Sequence, residues 1–194
     1  MKALVLENQG EPFVLKDVPD PKAGPAEAVA KVLACGAGLT IQHYKIGRSH
    51  IETPRIIGHE ITAEIVEIGP GVSNVKVGDA VTAYYYLNCG YCPNCMANLE
   101  PHCENLKGNV GKDCDGGYAE FIKLPAHNFM VLPEGLDYKN HPAEVGVICD
   151  AIATPLKVNK RTRTAPGETV AVFGGGGGLG LHQLMLSAWA GARV

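Results

Sequence analysis

Four thiols stand at Cys89-Gly-Tyr-Cys92-Pro-Asn-Cys95 and, after seven intervening residues, at Cys103. Gly90 and Pro93 bend the chain between them, so the four sulfurs can close a tetrahedral cage around one Zn²⁺. Zinc suits such a cage because it is borderline-soft, redox-silent and free of any d-electron preference against a tetrahedron. Disulfides and an iron–sulfur cluster are the competing uses of cysteines this close together. The start, Met1-Lys-Ala-Leu-Val-Leu-Glu-Asn, lacks the unbroken apolar run of a secretory signal, which predicts reduced cytoplasmic thiols and argues against disulfides. Spacing alone leaves a cluster open. A zinc so held has sulfur at every position, so the lobe 89–103 is expected to be structural rather than catalytic.

A second stretch with chemical meaning is Gly174-Gly-Gly-Gly-Gly178-Leu179-Gly180. Thr169-Val-Ala-Val-Phe173 before it reads as a buried strand, and Leu181, Leu184, Met185 and Ala188 after it repeat at helical spacing. In that setting Gly175, Gly177 and Gly180 fit G-x-G-x-x-G, whose backbone lets a pyrophosphate rest on a helix N-terminus. A flexible linker would lack the flanking strand and helix. A second strand would be starting at Gly191–Val194, and the acidic residue expected about 20 residues beyond the glycines falls past Val194. NAD and NADP are therefore not separated, and the nucleotide-binding part is expected to be incomplete.

The elements that must position these stretches divide by character. With 194 residues, 46% hydrophobic and 19% charged, the chain is long enough for a real core. Its 24 glycines and 13 prolines predict many turns and short strands. Strands are expected at 2–6, 13–17, 28–34, 61–68, around Val81, and from Tyr118 to Leu124. A helical stretch is expected over 143–158, with Pro155 starting, kinking or ending a segment and Lys157, Lys160, Arg161 and Arg163 as a solvated basic face and linker. The predicted organisation is a β-rich domain over 1–151 and an α/β part over 152–194. A net charge of -3 gives no reason to expect nucleic acid, and no apolar run is long enough to predict a membrane span. Cytoplasmic location is the expectation. Cys114 is read as a buried inert thiol, Trp189 as core, and Tyr84, Tyr85 and Tyr86 as packing residues.

Gly58-His59-Glu60, Val77-Gly78-Asp79-Ala80-Val81, the cysteine lobe, Asp115-Gly116-Gly117-Tyr118-Ala119-Glu120 and the glycine turn occur in this order. The ordered set resembles the zinc-containing medium-chain alcohol dehydrogenases over essentially the whole chain. That resemblance implies a mostly β GroES-like barrel with a zinc lobe, followed by the beginning of an α/β Rossmann domain. It implies an oxidoreductase moving hydride between a small-molecule alcohol or carbonyl substrate and NAD(P). A structural zinc and a catalytic zinc come with it, as does a homo-oligomer for the full-length form. Thr40 and His43 fall where the family places its proton relay, and a hydroxyl and an imidazole suit that task. His59 matches the histidine ligand of the catalytic zinc, with Glu60 beside it as an occasional ligand or supporting carboxylate. Thr154 matches a threonine near the nicotinamide, and four residues back lies Asp150, preferred over Cys149 as a further ligand.

One position departs from the pattern. The family's cysteine ligand, two residues before the relay hydroxyl, falls here on Gly38, and Cys35 matches a cysteine that is not a ligand. Three readings follow. The catalytic zinc is rebuilt on His59, Asp150 and either Glu60 or Cys35. Or it is lost, leaving a zinc-free reductase that keeps only its structural metal. Or the chain is an inactive fragment or interaction module that associates through an unpaired strand edge.

Overall fold

The structure, a computed structural model, describes residues 1–194. It divides into two compact units, Met1–Gly146 and Val147–Val194. In the first, β1 (Lys2–Leu6), β2 (Val14–Asp17) and β4 (Arg55–Ile56) form an antiparallel sheet in the order β2-β1-β4. A second sheet runs β7-β3-β5-β6-β8, from β3 (Glu27–Cys35), β5 (Ile61–Ile68), β6 (Ala80–Ala83), β7 (Phe121–Pro125) and β8 (Phe129–Val131). Its centre is the β3–β5 pair, with Ala28 opposite Ile68 and Cys35 opposite Ile61. Register shifts at Val29/Ala30 and Val32/Ala34 mark bulges, which bend and twist a sheet towards closure.

The alternation visible in the sequence becomes the core. Ala28 and Ala30 from β3, Ile61, Ala63 and Ile65 from β5, Val81 and Ala83 from β6, and Ile122 and Leu124 from β7 form one buried cluster. Side chains two apart share a face, and that face is the inner one. Fold class follows the expectation of a mostly β GroES-like unit. The expected strand from Tyr118 starts only at Phe121. Residues 118–120 instead pair across to the first sheet, through an Ala3–Ala119 bridge and Glu120 N–H donating to Lys2 O at 3.1 Å.

Four glycines allow a close backbone crossing there. Gly116 N–H donates to Ile56 O (2.8 Å), Gly117 N–H to Gly58 O (2.9 Å) and Tyr118 N–H to Ile57 O (3.0 Å). A Cβ on Gly116 would lie 2.1 Å from Gly58 O, and one on Gly111 would lie 2.6 Å from the same oxygen. Gly58 adopts φ +100, and a Cβ on it would come 2.7 Å from both Cys35 Sγ and Tyr118. Asp115 completes the clamp by accepting from Ile56 N–H (3.2 Å) and pairing with Arg55 (3.5 Å).

The expected helix over 143–158 is broken. It resolves into α3 (Pro142–Gly146), a 3₁₀ turn (Val147–Cys149) and α4 (Ala153–Thr162). Pro155 is buried in the first turn of α4, where its missing N–H costs no helical bond. The compact β-rich unit also ends at Gly146 rather than at residue 151. The reason is packing: a Cβ on Gly146 would sit 3.0 Å from Glu60 O, and Thr62 Oγ1 donates to Pro142 O at 2.8 Å. Just upstream, the Tyr138 hydroxyl donates to Glu64 Oε1 at 2.6 Å, with Lys139 Nζ 3.6 Å from the same oxygen.

In the second unit α4 packs on α5 (Gly178–Trp189). Their contact holds a buried polar network in which Gln183 Nε2 and Ser187 Oγ both donate to Asn159 Oδ1. The segment Thr169–Phe173, expected as a buried strand, forms no regular strand and is not buried: Val170 and Val172 are half-buried and Phe173 is 98% exposed. One parallel bridge, Thr169 to Arg193, is its ladder contact, and a parallel strand needs cover on both faces to be buried. Trp189, expected in the core, is 82% exposed.

Two outcomes test this frame. Gly116→Ala is expected to destabilise the β-rich unit by about 3 kcal/mol or more, because rigid backbone meets the new methyl. Gly71→Ala, at φ +84 with open space, should cost only about 1 kcal/mol; urea unfolding of both variants reads the contrast. The Tyr138 hydroxyl, ahead of the opposing effect of burial, holds Glu64 below its ordinary carboxylate range. A lowered folded pKa means stability present above the unfolded pKa and lost as pH falls through the folded one. Tyr138→Phe should therefore cost about 1 kcal/mol at neutral pH, with the difference vanishing once Glu64 is protonated.

Candidate functional site

The cysteine lobe is built from short pieces that each deliver one sulfur. Cys92 is the N-cap of α2 (Pro93–Met96), with Pro93 at its first helical position, and Cys95 sits inside it. The 3₁₀ turn Glu100–His102 then hands over to Cys103. All four sulfurs lie within 4.8 Å of one another. Cys89–Cys95, Cys92–Cys95 and Cys92–Cys103 are separated by 3.9, 3.5 and 3.9 Å. A tetrahedron with zinc–sulfur bonds of about 2.3 Å has sulfur–sulfur edges of about 3.8 Å, whereas a disulfide needs about 2.0 Å. The separations fit zinc and exclude disulfides.

Donors around the cage also fit thiolates. Cys92 N–H points at Cys89 Sγ (3.4 Å), and the N–H groups of Cys89 and Asn105 both point at Cys103 Sγ (3.3 Å each). The side-chain amides of Asn88 and Asn105 reach Cys95 Sγ (3.7 Å) and Cys89 Sγ (3.8 Å). Burial raises the Cys89 thiol, but the amides of Tyr91 and Cys92 outweigh it and bring Cys89 down to about 6. Burial dominates at Cys103 and pushes it up to about 11. Without a cation the cage does not hold four negative charges; a divalent ion of zinc's softness resolves that conflict. The amides of Asn88 and Asn105 went unread in the sequence, although both lie within two residues of a cage cysteine.

Thr40 and His43 lie on α1 (Leu39–Lys45), a helix not expected from the sequence. They are one turn apart and therefore share a face, while Ile41 and Tyr44 supply the buried face. Thr40 is exposed and His43 half-buried. The Tyr44 hydroxyl lies 3.4 Å from that of Tyr85, which ties α1 to the segment before the lobe.

His59 and Glu60 follow the glycine crossing directly and are both buried. The His59 ring lies against Tyr85, centroids 4.7 Å apart and tilted by 54°, a contact that sequence spacing could not reveal. Glu60 O accepts from Gly36 N–H at 2.8 Å. Its carboxylate fills the space next to the glycine-rich turn: a Cβ on Gly36 would come 2.5 Å from Glu60 Oε2, and one on Gly38 would come 3.6 Å from it. The Tyr118 hydroxyl donates to Gly36 O (3.1 Å); burial, and then the charges of Cys35 and Glu60, push its pKa above the ordinary phenol range. Cys35 Sγ packs close to Gly58 and Gly117 and against the barrel core.

In the second unit Asp150 precedes α4, and Thr154 Oγ1 donates to its Oδ1 at 3.0 Å. The glycine turn begins at Gly174, φ +78, and Gly177 in extended conformation caps α5. A Cβ on Gly180 would sit 2.1 Å from Gly174 O, so close packing alone dictates glycine there. A Cβ on Gly175 would press on Leu184 at 3.1 Å, whereas one on Gly177 would make only an ordinary contact at 3.6 Å.

Known proteins place this geometry. Residues 24–134 match the model of the alcohol dehydrogenase GroES-like domain. An alcohol dehydrogenase from Geobacillus stearothermophilus is 37% identical over 180 residues, 91% of this chain and 52% of that protein. An L-threonine 3-dehydrogenase from Streptomyces avermitilis is 36% identical across 100% of this chain and 55% of its own. The structure of a cobalt- and zinc-bound thermostable alcohol dehydrogenase from Pyrobaculum aerophilum superposes with TM-score 0.88 at 29% identity, covering 99% of this chain and 57% of that one. A Sinorhizobium meliloti protein assigned as a zinc-binding dehydrogenase, with NADP bound, gives TM-score 0.85 at 34% identity, with 98% and 54% covered. The chain thus spans about half the length of the relatives it matches. Family match, cysteine cage and glycine crossing agree, and the chain belongs to the zinc-containing medium-chain alcohol dehydrogenase family through its GroES-like domain.

Proposed function

We propose that this chain forms part of an NAD(P)-dependent alcohol dehydrogenase that moves hydride between a small alcohol or carbonyl compound and the nicotinamide. The observation that carries the reading is the turn into α5, where Gly180 packs so closely on Gly174 that no side chain fits. Such packing lets a pyrophosphate approach the backbone N–H groups at the helix start, the role that G-x-G-x-x-G turns serve. Gly177, whose glycine is not demanded by protein packing, would then face the ligand. Thr154, at the start of α4, is assigned to the nicotinamide side.

The cysteine lobe holds the structural zinc. His59 and Glu60 are the proposed ligands of a catalytic zinc, with Asp150 as the third residue that the sequence pattern assigns. Glu60 is favoured over Cys35 as the replacement for the missing thiolate, because its carboxylate lies next to Gly36 and Gly38. Imidazole nitrogen and carboxylate oxygen are both ordinary zinc donors. When bound, zinc would supply Lewis acidity that eases loss of the alcohol proton, and the nicotinamide would supply the hydride acceptor. Thr40 accepts the alcohol proton and passes its own towards His43, which is half-buried one helical turn away on the same face. The imidazole releases that proton to solvent. The protein is proposed to act in the cytoplasm as a homo-oligomer.

Gly38 favours a second reading, in which the catalytic zinc is absent and reduction proceeds without it. Turnover of primary and secondary alcohols with NAD⁺ and NADP⁺ in turn tests the main proposal. His43→Ala should lower kcat by about 10²-fold or more, more so at low pH than at high pH, where solvent hydroxide takes over the proton. Gly177→Val, where the turn itself leaves room for a side chain, should abolish NADH binding, read by quenching of the cofactor's fluorescence, while α4–α5 helicity persists. Absence of nucleotide binding in the unmodified chain would instead support a non-catalytic fragment.

A further inference from the structure

The four cage sulfurs are not equally enclosed. Cys92, Cys95 and Cys103 are only 4%, 7% and 9% exposed, whereas Cys89 is half-buried. Cys89 also borders an open cavity of about 480 Å³ together with Asn88, Tyr91, Asn105, Lys107 and His127. The wall behind it is fixed by a 2.7 Å bond between His127 Nε2 and Asn88 O. Asn105 spans the first and last cage sulfurs, its backbone N–H on Cys103 Sγ at 3.3 Å and its side-chain amide on Cys89 Sγ at 3.8 Å. Asn88 makes the corresponding amide contact on the enclosed side, to Cys95 Sγ at 3.7 Å.

A closed tetrahedral site gives an incoming ligand no vacant position, so the metal exchanges only if one sulfur swings aside. Three sulfurs have protein packed against them. Cys89 has a cavity to turn into; apart from the backbone N–H of Cys92 at 3.4 Å, which stays with the chain, the donor that holds its sulfur is the exposed Asn105 side-chain amide at 3.8 Å. We propose that zinc enters and leaves the lobe over the Cys89 edge, with the Asn105 side chain as the latch that keeps Cys89 in place. This rests on the zinc reading of the lobe. The exchange is a substitution without redox change: a chelator donor bonds the metal as the zinc–Cys89 bond breaks, and Cys89 keeps the electron pair as a thiolate. Lys107 on the cavity rim draws an anionic chelator to that edge.

The test is zinc release to EDTA, timed by stopped flow on the full chain, beside guanidinium midpoints of the zinc-loaded proteins. Asn105→Ala should release zinc about ten-fold faster, corresponding to the loss of about 1.4 kcal/mol of restraint on a charged acceptor. Asn105→Asp, similar in size but without the donor, should match it. Asn88→Ala should stay within about two-fold of the parent, and no variant should shift the midpoint in proportion to its rate. Equal rates for Asn105→Ala and the parent, or equal acceleration by Asn88→Ala, would overturn the Cys89 edge while leaving the zinc lobe intact. Protein purified without chelator that carries no zinc would overturn the lobe reading and the latch together.

Discussion

The structure depends on one backbone crossing. Gly116 and Gly111 press on Gly58 so closely that a methyl on either would overlap its carbonyl oxygen. Hydrogen bonds from Gly116, Gly117 and Tyr118 then lock Ile56–Gly58 in place. His59 and Glu60 are the next two residues, so their burial and direction are inherited from this contact. The same crossing brings Tyr118 under the Gly36 turn and links the two sheets, because residues 118–120 belong to the first as much as to the second. Backbone contact of this kind is specific: three carbonyl–amide bonds and no side-chain freedom leave one way for the strands to meet.

From that contact the cysteine lobe and the His59–Glu60 region are reached by different physics. The lobe is short-range, made by a turn, a four-residue helix and a 3₁₀ turn within fifteen residues, and local amides hold its sulfurs. The His59–Glu60 region is long-range, needing β3, β5, α1 and the Tyr85 segment to arrive together. A substitution in the lobe should therefore unravel a patch, whereas one at the crossing should disturb the whole β-rich unit.

Legibility in the sequence followed the same division. The cysteine cage could be read because its ligands lie close in the chain, and spacing is then nearly geometry. The strands β1, β3 and β5 could be read because one inner face imposes a period of two on their residues. β4 and β8, at two and three residues, are too short to carry a period, and α1 at seven residues has too few turns to advertise itself. Phe173 and Trp189 misled because an apolar residue reports what could be buried, not what arrives to bury it. Gly38 was legible as a gap, and Glu60 and Cys35 as the two residues that could fill it, but the choice between them was not, since the contact crosses from the residue after His59 to a different turn.

In the proposed site, Glu60 takes over the ligand position that Gly38 vacates. Zinc per chain, measured by elemental analysis on protein purified without chelator, tests it most directly when the parent is compared with Glu60→Gln. About two zinc ions per chain are expected for the parent and about one for Glu60→Gln, with the remaining ion in the cysteine lobe. About one zinc in both proteins would contradict it, leaving a structural metal alone and no Lewis acid at His59.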